Sequence, residues 1–242
     1  MILIELIFWV SVLLVLHTYA FFPLILKWLA AGKEPNRLVY SDPEELPDVA
    51  VLLAAYNEAS VIEEKIRSTF RSNYPREKIS LFIGSDNSTD ATDRIVEGLK
   101  AEFPEIRFFP FAARTGKIGI INTLAREALK PVLIFTDANV FFDKNTIYQL
   151  VKHFKNPKIG LVGGNILNEQ VKQEGISVQE KAYLQRENLI KYQEGVLWGS
   201  MMGAFGGCFA LRRRNFLPTP ENFIVDDFYI SMKVLEQGQQ AI

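Results

Sequence analysis

The sequence has little of what nucleic-acid-binding, zinc-binding or disulfide-stabilised proteins need. Its formal net charge is only -1, and no stripe of basic residues alternates with aromatic ones, which argues against a nucleic-acid partner. The single cysteine, Cys208, cannot form an internal disulfide, and no Cys/His cluster has the spacing of a zinc site. We therefore expect the folded part of the chain to lie in a reducing compartment.

Charged residues are also scarce in the first 26 positions, where Glu5 is the only formally charged side chain. This apolar run is long enough to span a bilayer, although a cleaved signal peptide or a buried core helix would have a similar composition. Basic residues follow the run, at Lys27, Lys33 and Arg37, and none precedes it. The positive-inside rule therefore predicts one N-terminal transmembrane helix, in the inner or plasma membrane, with the rest of the chain cytoplasmic.

These features divide the chain into three parts. Residues 33–48 contain three prolines and many charges without apolar periodicity, which indicates a linker along the membrane surface. We assign residues 1–27 to the transmembrane anchor, 28–47 to the linker and 48–242 to the folded domain. With 242 residues, 48% of them hydrophobic, the chain is long enough for one well-packed domain and an accessory segment.

Short apolar runs alternate with helical patterns throughout the folded domain. We expect strands at 49–55, 79–85, 106–111 and 131–137, and helices from about Ser60, Ser88 and Lys117. Strands spaced by helices in this way predict an α/β fold whose mostly parallel sheet has helices on both faces. Ligands of such sheets bind beyond the carboxyl ends of the strands, so the strand ends are candidates for a functional site.

Three of these strand ends carry acids or amides. They read AAYNE (54–58), GSDNSTD (84–90) and TDAN (136–139). Any one of them could be an ordinary helix cap, because Asp, Ser and Asn are favoured there. Three acidic ends on one edge, in a sequence without a Gly-x-Gly-x-x-Gly loop, favour a site for a divalent metal and ribose hydroxyls over one for a bare pyrophosphate.

Together with three further motifs, the strand ends resemble the processive-type family 2 inverting glycosyltransferases, which include cellulose, chitin and hyaluronan synthase-like enzymes. The further motifs are RTGKIGIIN (114–122), GAFGGCFALRR (203–213) and VDDF (225–228). Each motif alone is weak, but six in the family order are specific. The resemblance implies a GT-A (Rossmann-like) fold with a mixed, mostly parallel sheet. It also implies transfer of a sugar from a nucleotide-diphosphate donor, UDP-sugar above all, to a hydroxyl of a glycan or lipid-linked acceptor.

The resemblance further implies which residues bind the donor nucleotide. These are Tyr56, Asn57, Glu58, Asp86, Arg114, Lys117 and Asp137. An aromatic ring can stack on the base, a carboxylate can accept from a ribose hydroxyl, and the basic side chains can neutralise the diphosphate. Arg114 and Lys117 could also be two solvated loop cations. Asn87 departs from the family pattern, in which a second acid is common at this position.

The TDAN segment resembles the family's Asp-x-Asp signature, which implies that Asp137 and Asn139 hold Mg²⁺ or Mn²⁺ against the donor phosphates. Asn139 departs from that signature. An amide oxygen can ligate such an ion but carries no charge, so we expect weaker metal binding that depends more on the phosphates. The substitution could also mean that no metal is held here.

Inverting transfer needs a base to take the proton of the acceptor hydroxyl. Where family members have two acids at the VDDF position, the second is the base, which implies Asp227 with Asp226 as its partner. Both could instead cap a helix. On the acceptor side the resemblance implies Gly206, Gly207 and Trp198, the tryptophan being either a sugar platform or a core residue.

Two observations leave other interpretations open. The family's Gln-x-x-Arg-Trp motif is missing after the two acids, so we expect a C-terminally incomplete catalytic domain. Asn87 and Asn139 are compatible with a catalytically impaired domain that binds a nucleotide sugar or scaffolds other proteins, although the pair Asp226 and Asp227 argues for catalysis. A nucleotidyltransferase would need a glycine-rich loop near the first strand, and AAYNE has none.

Overall fold

A computed structural model of the protein describes residues 2–167 and 176–242, without the side chains of residues 176–181. The chain begins with one continuous helix from Ile2 to Ala30. It consists of α1 (Ile2–Leu16), a π-helical turn (His17–Phe21) and α2 (Phe22–Ala30). Within the described residues it is the one helix long and apolar enough to cross a membrane, and its most apolar part is not buried in the protein.

A single mixed sheet forms the centre of the domain. In the described residues its strand order is β3-β2-β1-β4-β6-β5-β7. The strands are β1 (Val49–Ala55), β2 (Ile79–Ser85), β3 (Ile106–Pro110), β4 (Val132–Thr136), β5 (Ile159–Gly163), β6 (Cys208–Arg212) and β7 (Gln240–Ala241). β1 to β4 run parallel, β6 runs antiparallel to both of its neighbours, and β7 is parallel to β5. The predicted mixed, mostly parallel sheet is confirmed.

Helices cover both faces of this sheet. They are α3 (Ile62–Phe70), α4 (Thr92–Leu99), α5 (Gly116–Glu127), α6 (Thr146–Val151), α7 (Ile176–Trp198) and α8 (Asp226–Glu236). Successive residues of β1 point to opposite faces: Val51 packs in a core with residues of α3, α4 and α6, whereas Leu52 packs in a second core with residues of α5 and α8. Burial on both faces explains why these strands read as unbroken apolar runs.

The segment between the anchor and β1, which we expected to be a linker, is hydrogen-bonded to the domain. The backbone amide of Tyr40 donates to the carbonyl of Lys152 at 2.9 Å, and the Tyr148 hydroxyl donates to the carbonyl of Tyr40 at 2.9 Å. The side-chain amide of Asn36 lies 3.3 Å from Nδ1 of His153. These contacts hold the segment that follows the apolar helix against the domain.

Burial lowers the pKa of His153 to about 4, with a smaller contribution from Lys152. An unfolded histidine titrates near pH ~6.5, so the folded state binds fewer protons between these values. The stability that His153 contributes is therefore present above about pH 6.5 and is lost as the pH falls towards about 4. We expect His153→Asn, whose side-chain oxygen can accept from Asn36 but cannot take up a proton, to lose less thermal stability over this window. Equal falls in Tm for both proteins would contradict this.

Candidate active site

Two loops at the carboxyl ends of β1 and β2 are tied together by Asn57. Its backbone amide donates to Oγ of Ser88 at 3.1 Å, and its side-chain oxygen accepts from the Thr89 amide at 2.8 Å. Asn57 and Asn87 both have φ of 55°, a left-handed conformation that asparagine adopts more readily than most residues. Asn57 therefore holds the two loops together with its backbone amide and side-chain oxygen, and its expected contact with the donor stays a prediction.

The carboxylate of Asp86 binds the RTGK loop. It is 4% exposed and accepts from the amides of Thr115 at 2.6 Å and Gly116 at 3.1 Å, and from Nε of Arg114 at 2.9 Å. Burial alone would raise the pKa of Asp86, but these hydrogen bonds outweigh it and lower the pKa below its usual value. Asp86 is therefore held as a carboxylate that anchors the start of α5.

Arg114 and Lys117, the two cations of this loop, point to different partners. The guanidinium of Arg114 lies over the ring of Tyr56, 3.4 Å from its centroid. Nζ of Lys117 lies 2.8 Å from Oδ1 of Asp137 at the end of β4. Partial burial would lower the pKa of Lys117, but Asp137 and, more weakly, Asp226 and Asp227 raise it above its usual value. Neither cation is simply solvated, and Lys117 lies among three carboxylates.

Two adjacent glycines bring the acids of β4 and α8 close to one another. A Cβ atom on Gly206 would lie 2.4 Å from Oδ2 of Asp227, and one on Gly207 would lie 3.8 Å from Oδ2 of Asp137. The carbonyl of Gly207 also accepts from the amide of Asp137 at 3.2 Å. The backbone of these glycines therefore lies between the two carboxylates. A side chain on Gly206 would collide with Asp227, and one on Gly207 would collide with Ile166.

The pKa of Asp227 is raised above that of an ordinary aspartate. It lies in the first turn of α8, where its Oδ1 accepts from the Phe228 amide at 2.7 Å and its Oδ2 faces Gly206. Burial is the main cause that raises its pKa; Asp226 adds to the rise, while the Phe228 amide, Lys117 and Lys191 oppose it. A raised pKa makes this carboxylate a better proton acceptor than an exposed aspartate.

The sequence profile described as glycosyl transferase family 2 matches residues 50–217, which include the strand ends and both glycines. The chain belongs to glycosyl transferase family 2. The match to this family ends before Asp226 and Asp227, whose roles therefore rest on geometry and motif order.

Curated relatives align with part of this chain. Beta-monoglucosyldiacylglycerol synthase of Synechocystis sp. is 26% identical over 199 residues, which is 72% of this chain and 42% of that protein. Poly-beta-1,6-N-acetyl-D-glucosamine synthase of Staphylococcus epidermidis is 28% identical over 129 residues, which is 53% of this chain and 31% of that protein. The chain thus spans less than half the length of these relatives.

Solved structures show the same fold. A mannosyltransferase from Pyrobaculum calidifontis, in complex with GDP-Man and Mn²⁺, has a TM-score of 0.72 at 25% identity over 91% of this chain and 61% of that one. TarS of S. aureus, in complex with UDP, has a TM-score of 0.55 at 16% identity over 76% of this chain and 54% of that one. The GT-A-like architecture expected from the sequence is confirmed.

The side chains of this family 2 chain could hold a divalent metal only together with ligands from outside the protein. The described residues contain no group of three or more His, Cys, Asp or Glu that could hold a metal. Asp137 and the exposed Asn139 stand at alternate positions of the turn after β4. One carboxylate and one amide suit Mg²⁺ or Mn²⁺ when substrate phosphates supply further oxygens, as is usual for Mg²⁺.

Glu58 and Trp198 are two further site residues expected from the sequence. Burial raises the pKa of Glu58, and Asp137 and Asp90 raise it further, so Glu58 lies within reach of the same charges. Trp198, at the end of α7, is 55% exposed, which excludes the alternative of a core tryptophan.

Two lysines of the site were missed in the sequence. Lys191 acts on the pKa of Asp227 and lies 5.1 Å from the ring centroid of Phe205. It lies in α7, a polar helix in which charged residues recur, so nothing in the sequence singled it out. Lys65 is completely buried. The sequence did indicate that Lys65 is unusual. Position 65 falls on the same helical face as Ile62 and Ile66, where the apolar pattern predicts a core residue.

We expect Gly206→Ala to reduce sugar transfer by about a hundredfold, the usual cost of displacing a reacting group by about 1 Å. The added Cβ would meet Oδ2 of Asp227, while the backbone of Gly206 does not have a positive φ and accommodates alanine. UDP affinity should change little. The matched control is Gly98→Ala in α4, where an added Cβ meets no atom within 4 Å. Wild-type transfer by Gly206→Ala would contradict the close approach.

Proposed function

We propose that this chain provides the donor site and the base of a membrane-anchored, inverting glycosyltransferase. It would transfer a sugar from a nucleotide-diphosphate sugar, with a UDP-sugar as first choice, to a hydroxyl of a glycan or lipid-linked acceptor. The observation that carries the proposal is the approach of Asp227 to Asp137 and Lys117 across the two glycines. A base and a phosphate-binding cation thus border one cleft.

The donor nucleotide would bind along the ends of β1, β2 and β4. The Tyr56 ring, with Arg114 on one face, can stack on the base, and Glu58 can accept from a ribose hydroxyl. Lys117 can exchange its contact with Asp137 for one with the diphosphate. A divalent metal bound by Asp137 and Asn139 would neutralise charge on the leaving diphosphate.

The acceptor would enter from the side of α8. Oδ2 of Asp227, the oxygen not bound to the Phe228 amide, takes the proton of the acceptor hydroxyl. The acceptor oxygen forms a bond to the anomeric carbon while the bond from that carbon to the diphosphate oxygen breaks on the opposite face. The nucleoside diphosphate leaves with the bonding electron pair, and the configuration at the anomeric carbon is inverted.

The names of similar proteins are compatible with the proposed substrates but do not identify the substrates of this chain. The relatives are named for a glucosylated diacylglycerol and for a polymer of N-acetylglucosamine, and the solved structures hold GDP-Man or UDP. A lipid or glycan acceptor at a membrane is supported by the apolar helix Ile2–Ala30, whose α2 part packs against α7. The basic residues after it favour a cytoplasmic domain.

We expect Asp227→Asn in the full-length protein to reduce transfer by about a hundredfold to ten-thousandfold, because an amide cannot accept the proton. UDP affinity and Tm should stay near wild type, since the amide oxygen can still accept from Phe228. Asp226→Asn, the matched control in the same turn, should cost less. Mass spectrometry of products with a panel of UDP- and GDP-sugars measures transfer and identifies the donor.

Three outcomes of that comparison would contradict the assignment. Loss of both UDP binding and thermal stability in Asp227→Asn would show a capping role. Retained transfer in Asp227→Asn, with loss only in Asp226→Asn, would make the other carboxylate the base. A wild-type protein that transfers no sugar from any donor of the panel would refute the proposed activity.

We expect Mn²⁺ or Mg²⁺ to tighten UDP binding, because Asp137 and Asn139 provide only two protein ligands and the phosphates complete the set. Calorimetry with the metal and with EDTA measures the difference. Asn139→Asp should enlarge it, since a carboxylate restores a charged ligand. Equal UDP affinity under both conditions would remove the metal from the mechanism.

A further inference from the structure

Lys65 is a buried lysine for which the proposed reaction has no use. It lies in α3, is 0% exposed, and makes no salt bridge within the described parts of the chain. Burying an ammonium group away from a bound carboxylate is costly, so charged residues are rarely found in this position without a specific partner. The partners of Lys65 are instead an alcohol and a backbone carbonyl.

Those two partners stand on either side of the turn that follows β4. Nζ of Lys65 donates to Oγ1 of Thr136 at 2.7 Å and to the carbonyl of Val140. Between them lie the three residues 137–139. The remaining side of the amine faces the ring of Phe142, 3.6 Å from its centroid. One buried side chain therefore bridges the first and last residues of the turn.

The bridge continues to the backbone of the proposed metal ligand. The Thr136 hydroxyl, which accepts from Lys65, donates to the carbonyl of Asp137 at 3.4 Å. That carbonyl also accepts from the Val140 amide at 3.3 Å. Burial lowers the pKa of Lys65 to about 7, and Cys208 and, more weakly, Asp137 oppose this shift. The contacts hold in either protonation state, because a neutral amine still has two N–H groups for two acceptors.

We propose that Lys65 is a positioning residue that holds the turn from Thr136 to Val140, so that Asp137 and Asn139 face the donor diphosphate and its metal from the same side. This inference rests on the proposed function. A turn at a strand end is otherwise free to rotate its polar side chains, and orienting groups behind metal ligands commonly decide metal affinity. The turn is also held by α3 at a second point, where the Phe142 amide donates to Oγ of Ser68 at 3.3 Å.

The test compares Lys65→Met with Ile66→Val in the full-length protein. Methionine fills the same space without a donor, and Ile66 is a buried neighbour in α3 that serves as the control for a general loss of packing. UDP affinity in EDTA should stay at the wild-type value in both variants. In Mn²⁺, Lys65→Met should lose about tenfold to a hundredfold of the metal-dependent tightening. Ile66→Val should keep it.

A second measurement does not depend on the donor. Hydrogen exchange, read by mass spectrometry on peptides that cover residues 133–142, should be faster in Lys65→Met than in wild type and unchanged in Ile66→Val. Wild-type exchange together with full Mn²⁺-dependent tightening in Lys65→Met would overturn the proposal. If Lys65→Met does not fold, Thr136→Val, which removes one acceptor, decides by the same two measurements.

The two proposals can fail separately. A wild-type protein that binds no UDP would refute the proposed function, and the exchange comparison would then decide the role of Lys65 alone. Faster exchange confined to the turn would still support the positioning role. Metal-dependent UDP binding in wild type with unchanged exchange and unchanged tightening in Lys65→Met would leave the function intact and remove Lys65 from it.

Discussion

The buried carboxylate of Asp86 decides where the cations of the site lie. Its hydrogen bonds to the amides of Thr115 and Gly116 fix the first turn of α5, and its contact with Arg114 places a guanidinium over Tyr56. With the helix start fixed, Lys117 reaches Asp137 after the end of β4, which is two strands away from β2 in the sheet. Loss of Asp86 would leave the amides of Thr115 and Gly116 without this acceptor, so we expect it to loosen the start of α5.

The cleft holds several carboxylates around few cations, and the balance between these charges sets the pKa values of its acids. Asp226 raises the pKa of Asp227, whereas Lys117 and Lys191 oppose the rise. Burial raises the pKa of Glu58, and the charges of Asp137 and Asp90 raise it further. A cation that enters with the donor would relieve this repulsion. Metal and diphosphate are therefore expected to bind together.

Local patterns were enough to predict the first strands and helices of the domain. The strands at 49–55 and 79–85 have the predicted bounds, and β4 is one residue shorter at each end than predicted. α3 and α4 begin at Ile62 and Thr92, two and four residues later than expected, because the residues before them form turns. Polar side chains in those turns form hydrogen bonds between loops. The periodicity of apolar residues in the sequence carries no information about such bonds.

β5, β6 and β7 could not be predicted in the same way. β6 lies between β4 and β5, antiparallel to both, although more than 40 residues separate it from β5 in the chain. Glycines weaken the strand pattern of a run such as Ile159–Gly163, so its sequence alone favours a turn. Pairing with a partner strand is what shows that it is a strand. Pairing over such distances is a tertiary property, and it is what brings Gly206 and Gly207 to the end of β4.

The sequence by itself determined the fold class, the apolar N-terminal helix and the order of the acidic strand ends, because burial periodicity and charge are local. Tertiary structure alone decided that Asp86 turns inward to its loop, that Asp227 faces Gly206, and that Lys65 bridges the turn after β4. The physical reason is that a side chain's role depends on which partners desolvate it and bind it. Those partners come from strands and helices that meet only in the folded chain.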